Sequence, residues 1–574
     1  MTGVSALVTR SRAGFSIARI GWLGWMSVAV AVLVLAPIAA VVANVFVPSE
    51  TTWSHLASTV LPEYVSNTFL LVLLVAAGVI FFGVSSAWLV TAYRFPAQRI
   101  LEWALVLPLA MPAYVMAYAY TDWLQAAGPV QSMLREITGW QVREYWFPEI
   151  RSLPGAAAML SFALYPYVYL LARNAFLEQS RTTMEAARLA GYGPWGRFWR
   201  VALPLARTGI VAGVALALME SLADFGTVSY FAVNTFTTGI YRAWLSLGDS
   251  VAAGQLATCL LVFVLLMLAL ERRHRGSARY GAKHTPIPPH SLRGWRALAA
   301  FAACAAPITF GFLVPAGVLL NLAWTEPEAR FGSRVYWLVA NTSTLSGTAA
   351  VAAVAIAVLL AYAGRIVKSP LVHGTNQLAV LGYALPGAVI AVGILLPLGK
   401  LDNLLADWLR QQFGINVGLL LTGSIVALIY AYLVRFLAVA FKTVEAGLTR
   451  VTPSMDDAAR GLGLSPARTL ARVHVPIMWR SLATAALLVF VDVMKELPAT
   501  FAMRPFNFDT LAVEAYNLAK DERIAEAAVP SLLMVGIALV PLIVLSGQIA
   551  RSSQGHRRKP NHVSGPPFSG EEDF

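Results

Sequence analysis

Four carboxylates sit in sequence where charge is scarce. Glu220 and Asp224 lie in ALALMESLADFGTVSYF, Asp492 and Glu496 in LLVFVDVMKELPATF, and each pair is four residues apart. On a helix that spacing places both groups on one face. A charge facing lipid at mid-depth costs on the order of 3 kcal/mol or more, so such residues turn toward a cavity, a partner or the bundle interior. The chemistry open to them there is non-covalent: attracting and releasing a cation, carrying a proton, or working a gate. They are the candidates for a translocation path. Two other readings stay open, namely positions near helix ends that water reaches, and neutralisation by Lys495.

A shift of 272 positions lays Glu220 on Asp492 and Asp224 on Glu496, and the same shift aligns a basic, Gly- and Pro-punctuated loop. Its first copy begins Glu185, Ala186, Ala187 and continues through Gly191 and Pro194 to Leu203–Pro204; its second begins Asp457, Ala458, Ala459 and continues through Gly463 and Pro466 to Val475–Pro476. The acidic residue and alanines suit a helix start, the glycine a C′ position with positive φ, and the small alanines a surface that another protein can approach closely. Helix, turn, helix is the reading. An ordinary amphipathic interface helix is the plain alternative, and two copies at one spacing weigh against it. Upstream, a shift of 274 brings Asn67 onto Asn341 and Pro112 onto Pro386, so the whole chain reads as a duplication.

These residues need a membrane scaffold to hold them. Of 574 residues, 58% are hydrophobic and 13% charged, and the mean hydropathy is +0.65. Unbroken apolar runs recur along the length, as helices of roughly 20 residues require and as the alternating strands of a barrel do not. Twelve membrane helices are expected near 22–47, 66–91, 100–125, 155–178, 207–231, 251–270, 297–324, 341–364, 376–400, 417–441, 480–501 and 528–549. The fold class is therefore an all-α polytopic membrane protein of two parallel six-helix repeats. The expected organisation is a first half over 1–270, a cytoplasmic linker over 271–296, a second half over 297–549 and a disordered tail over 550–574.

Arginine and lysine collect in alternate gaps: Arg10, Arg12 and Arg19; Arg94 and Arg99; Arg181, Arg188, Arg197 and Arg200; Arg365 and Lys368; Lys442 to Arg472; and Arg551 to Lys559. The intervening stretches 48–64 and 401–416 are acidic or nearly free of basic residues, which puts both termini and both repeated loops in the cytoplasm. This placement accounts for the net charge of +13 without nucleic acid. Cys259 and Cys304 lie in apolar runs and receive no role, and His274, His284 and His290 have no metal-ligand spacing. No phosphate-binding G-x-x-x-x-G-K-[ST] occurs; Gly393, Gly399 and Lys400 are a decoy with one residue too many and Leu401 in the last place.

The order acidic–Ala–Ala, Gly, hydrophobic–Pro resembles the EAA loop of ATP-binding-cassette importer permeases of the binding-protein-dependent family, of the type I architecture. The resemblance implies that Glu185, Ala186, Ala187 and Gly191, and again Asp457, Ala458, Ala459 and Gly463, belong to helices that dock on cytoplasmic ATPase subunits, one per half. It further implies a partner binding protein outside, ATP used by the partner with no cofactor on this chain, and residence in a bacterial inner membrane. Asp457 stands where the family pattern has Glu. The stretches ESLADFGTVSYFAVNTFTTGIYRAWLSLGD and DVMKELPATFAMRPFNFDTLAVEAYNLAKDERIAEAA resemble the ferric-iron branch. Carboxylates suit a hard cation, while thiamine, polyamine, sulfate and phosphonate permeases share the architecture. The long outer loop 128–155, with Trp140, Tyr145 and Trp146, offers either a binding-protein contact or membrane-boundary aromatics. A secondary transporter would use the acids for protons or sodium but leaves two matched loops unexplained. No catalytic cluster marks an enzyme.

Overall fold

The computed structural model describes residues 21–48, 52–142, 144–274, 290–325, 332–367 and 369–557. Within them the chain is almost wholly helical, and eleven helices are long and apolar enough to cross a membrane, twelve if one bent pair counts as a single span. The pair is Gln98–Ala110 with Ala113–Thr138, bent by 92°, so the third expected helix is broken rather than straight. Pro112 causes the break: it has no N–H to give to the preceding turn and adopts an extended ψ of 139°. Pro386, its counterpart, does the same with ψ 140° before Gly387–Phe413. That helix runs well past the expected 376–400, and the two acids read as belonging to an outer loop, Asp402 and Asp407, lie inside it. Buried Asp402 accepts hydrogen bonds from the Leu420, Leu421 and Thr422 N–H groups, closing the loop ahead of Ile425–Leu448.

Two compact units divide the chain, and they cut across the sequence halves. One comprises residues 1–47, 343–493 and 502–506; the other comprises 48–342, 494–501 and 507–574. Each half thus gives its opening helix to the unit built mainly from the other half.

In the unit containing 343–493, Gly21–Ala43 packs along Pro370–Ala379 and Gly387–Phe413. Gly393 permits this approach, since a Cβ there would fall 2.4 Å from the Pro37 carbonyl oxygen. The decoy glycine is a packing glycine. Leu23, Tyr362, Ala363 and Val372 form a buried cluster at one end, with Leu470 against it.

In the unit containing 48–342, Leu61–Ala92 packs on Leu153–Leu177, which packs in turn on Leu203–Ala223. Small residues let backbones close in, as membrane helices require where no hydrophobic force separates partner from lipid. Gly83 and Gly213 both face Val168, leaving 2.7 Å between their notional Cβ atoms and its Cβ and Cα. Trp295–Ile308 and Val314–Thr325, the opening of the second half, pack here against Leu61–Ala92 and Ala113–Leu124. The linker emerges at His290–Ser291, which pairs in parallel with Tyr93–Arg94.

The duplication is visible in hydrogen bonds inside this same unit. Asn67 donates to the Asn234 carbonyl and Asn341 to the Asp509 carbonyl, while Thr68 and Thr342 accept from the Phe236 and Leu511 N–H groups. The last helix, Ile524–Arg557, continues into the stretch expected to be a disordered tail. The rest of that tail, the N-terminal arginines, Lys368 and His284 lie outside the described residues.

Candidate functional site

Both repeated loops fold as helix, turn, helix. The first helix is Arg181–Leu189 and its counterpart is Pro453–Gly461. Glu185 and Asp457 therefore stand in mid-helix, not at its start as the sequence reading had it. The true starts are signalled by Ser180, whose hydroxyl accepts from the Thr183 N–H, and by Thr452 with Pro453 as first helical residue. The ends match closely. Gly191 and Gly463 take φ values of 84° and 75°. In each loop the glycine N–H bonds back to Arg188 or Arg460, and the next N–H reaches Ala187 or Ala459, the paired bonds of a Schellman closure.

The faces match too. Glu185, Ala186 and Arg188 are exposed and Ala187 is buried; Asp457, Ala458 and Arg460 are exposed and Ala459 is buried. An exposed leucine crowns each helix, Leu189 at 89% and Leu462 at 82%, although they are one position out of register. Asp457 pairs with Arg460 on the surface. After the turn, Pro194–Arg197 and Pro466–Thr469 each lead through one widened π turn, Phe198–Ala202 and Leu470–His474, into Leu203–Ala223 and Val475–Lys495. Pro204 and Pro476 lack the N–H that a regular turn would use, which accounts for the widening. Each repeated loop is thereby continuous with a membrane span, Pro194–Ala223 or Pro466–Lys495.

What supports the two loops differs. In the first, the Phe198 ring lies 5.2 Å from Trp88, itself 5.2 Å from Phe176, and Gln179 donates to the Ala202 carbonyl. In the second, Asp456 accepts from Arg365 at 2.8 Å and lies 2.6 Å from His474 Nε2. Burial pushes the Asp456 carboxyl up, but the hydrogen bonds from Arg365 and His474 outweigh it and hold the group below its ordinary value.

The membrane acids sit at the far ends of the same two spans. Glu220 and Asp492 are half-buried on the helices. Asp224 and Glu496 have left them, for the helices end at Ala223 and Lys495, so the four-residue spacing does not leave each pair on one helical face. Their carboxylates cap the short helices that follow. Asp224 accepts from the Thr227 and Val228 N–H groups and the Thr227 hydroxyl, and Glu496 accepts from the Ala499 and Thr500 N–H groups and the Thr500 hydroxyl. Lys495 donates to the Leu109 carbonyl. Around these caps, in the unit that holds both, Phe225, Tyr241, Phe501 and Tyr516 pack ring on ring with centroids 4.1 to 6.1 Å apart. Sequence reasoning missed this aromatic shell because its members come from four short segments. The stretch 128–155 holds a Trp140–Tyr145 stack and a projecting Trp146, 86% exposed.

Residues 78–276 match the family model described as binding-protein-dependent transport system inner membrane component. The chain is 25% identical over 503 residues to the Fe(3+)-transport system permease protein FbpB 2 of Haemophilus influenzae, covering 84% of this chain and 89% of that one. It is 31% identical over 196 residues to the molybdenum transport system permease protein ModB of Escherichia coli, covering 33% of this chain and 81% of the relative. A chain of a bacterial ABC transporter that imports alginate aligns at 16% identity with a TM-score of 0.34, over 45% of this chain and 96% of that one.

Proposed function

Because the chain belongs to the family of binding-protein-dependent transport system inner-membrane components, we propose that it is the two-half permease of an ATP-driven importer and that its cargo is ferric iron. The chain is a membrane transport subunit and not an enzyme. A separate ATPase hydrolyses ATP, and a binding protein outside the membrane delivers the cargo.

The observation that carries this reading is the matched pair of exposed, Schellman-closed helices, each joined to a membrane span. Two such helices call for two ATPase subunits, with Glu185, Ala186, Ala187 and Gly191 on one contact and Asp457, Ala458, Ala459 and Gly463 on the other. Each span is 30 residues long, about 45 Å at the helical rise, so a small tilt at the docking end displaces the far end by several ångströms. The far ends carry the membrane acids. Closure of the ATPase pair moves them, opening the path alternately to either side. In this orientation the docking loops and both termini face the cytoplasm.

Iron as cargo is supported by similarity to the Haemophilus influenzae Fe(3+) permease over most of both chains. Half-buried carboxylates at Glu220 and Asp492 agree with it, since they attract a hard cation and repel an oxyanion such as molybdate or sulfate. Asp224 and Glu496 contribute by shaping the ends of the path through their caps.

The test is uptake of radiolabelled ferric iron into proteoliposomes holding this chain, its ATPase and its binding protein. Uptake should need ATP and vanish in a Gly191→Pro, Gly463→Pro double variant that still folds. ATP-dependent uptake of molybdate or sulfate instead of iron would keep the machine and discard the cargo. Uptake on a proton gradient without the ATPase would overturn the reading.

A further inference from the structure

The second coupling helix is held by something the first lacks. Under the 272 shift, Asp456 corresponds to Met184 and His474 to Ala202. In the first loop both positions are buried and apolar. In the second they form an acid–imidazole contact of 2.6 Å, with His474 only 1% exposed. Arg365 completes the group: besides Asp456, its guanidinium donates to the Leu448 carbonyl at 3.2 Å and the Val451 carbonyl at 2.8 Å. Tyr362, one turn earlier on Ser333–Ile366, donates to the Pro466 carbonyl at 2.7 Å and sets its ring edge-on to His474 at 5.2 Å.

Four segments thus meet at the Arg365–Asp456 pair: the end of Ser333–Ile366, the coupling helix and the π turn that enters Val475–Lys495 at the carboxylate, and the end of Ile425–Leu448 at the guanidinium. Apolar packing, as at Met184 and Ala202, resists separation but allows sliding. A forked guanidinium on a carboxylate and two carbonyls fixes direction as well. We propose that Asp456, clamped between Arg365 and His474, is the positioning residue of the second coupling helix, so that motion at this docking site passes to three membrane helices together through directional bonds, whereas the first loop meets its neighbouring spans through ring packing that lets them slide. The proposal rests on the reading of these loops as ATPase-docking elements.

Two measurements test it on the assembled transporter. The first is the number of ATP molecules hydrolysed per solute imported, compared between the parent and Asp456→Asn. A loss of positioning raises that ratio several-fold while basal hydrolysis stays; a purely structural role lowers uptake and hydrolysis together and leaves the ratio unchanged, which would overturn the proposal. The second uses spin labels on Leu189→Cys or Leu462→Cys in a Cys259→Ser, Cys304→Ser background, read in detergent and independent of transport. Asp456→Asn, or Arg365→Gln should the first fold poorly, frees the label at 462 and leaves that at 189 unaltered. Equal change at both labels, or none at 462, would overturn it. Absence of ATP-dependent uptake in the parent would instead count against the functional reading, leaving the label result to stand for the clamp.

Discussion

The first repeated loop is seated on rings and the second on charges, yet the two present an exposed acid, alanine, arginine and glycine at matching positions. On the exposed face the two copies have kept one shape. Where only this chain's interior is involved, they have diverged to different solutions, Trp88 and Phe198 in one case and Arg365, Asp456 and His474 in the other. On the proposed docking role, the exposed face is under a constraint that the supporting contacts do not share. The membrane acids teach a similar lesson: the pair that caps, Asp224 and Glu496, exchanged carboxylate length but preserved its backbone N–H donors.

The largest effect should come from the glycines, where the comparison predicts equality. Gly191→Val and Gly463→Val each force a branched side chain to φ near +80°, at a cost of ~1–3 kcal/mol and with open space around, so strain alone acts. Each should reduce ATP-coupled uptake about tenfold. A difference of more than about threefold between them, measured in proteoliposomes, would break the equivalence of the loops. Next in size is a variant that should separate them. Trp88→Ala removes the ring under Phe198, costs ~2–3 kcal/mol of local packing, and should loosen a label at 189 but not at 462.

Acid should then act on one loop only. The Asp456 carboxyl is held below its ordinary value in the folded chain, so its contribution is present above about pH 4 and lost as pH falls through the depressed value. Amide exchange of 453–461 should accelerate at lower pH beyond the intrinsic rate, with 181–189 unaffected. Smaller again are the caps. Glu496→Gln and Asp224→Asn keep the shape but weaken three accepted bonds; ~1–2 kcal/mol is expected at Glu496, which is 5% exposed, and less at Asp224, read as thermal unfolding in detergent. Asp457→Glu, which restores the family's residue at an exposed site, should change uptake least of all; a several-fold gain would mean the second docking contact is weak.

The repeat makes the two matched helices legible, because a shift of 272 picks out residues whose surroundings are otherwise ordinary. The positive φ of Gly191 and Gly463 followed from helix-end chemistry, which is local. The acidic residue reads as a helix start, whereas Ser180 and Thr452–Pro453 carry the cap. No local pattern sets Asp456 apart from Asp457 or links it to Arg365, 91 residues earlier. Span boundaries drifted where charged residues, such as Asp402 and Arg410, continue a helix instead of ending it. The same applies to the units: hydropathy counts crossings but carries no record of which crossing packs on which.

That exchange of opening helices has a bearing on how the chain is made. Gly21–Ala43 finds its packing surface in Gly387–Phe413, more than 300 residues later. At roughly 5–20 residues per second, the first helix waits about 20–70 s for its partner to be synthesised. It must therefore persist as a lone span in lipid. Its composition suits that wait: with a mean hydropathy of 2.6 and only 28% of its best window buried in the finished fold, it is at home facing hydrocarbon both before and after assembly.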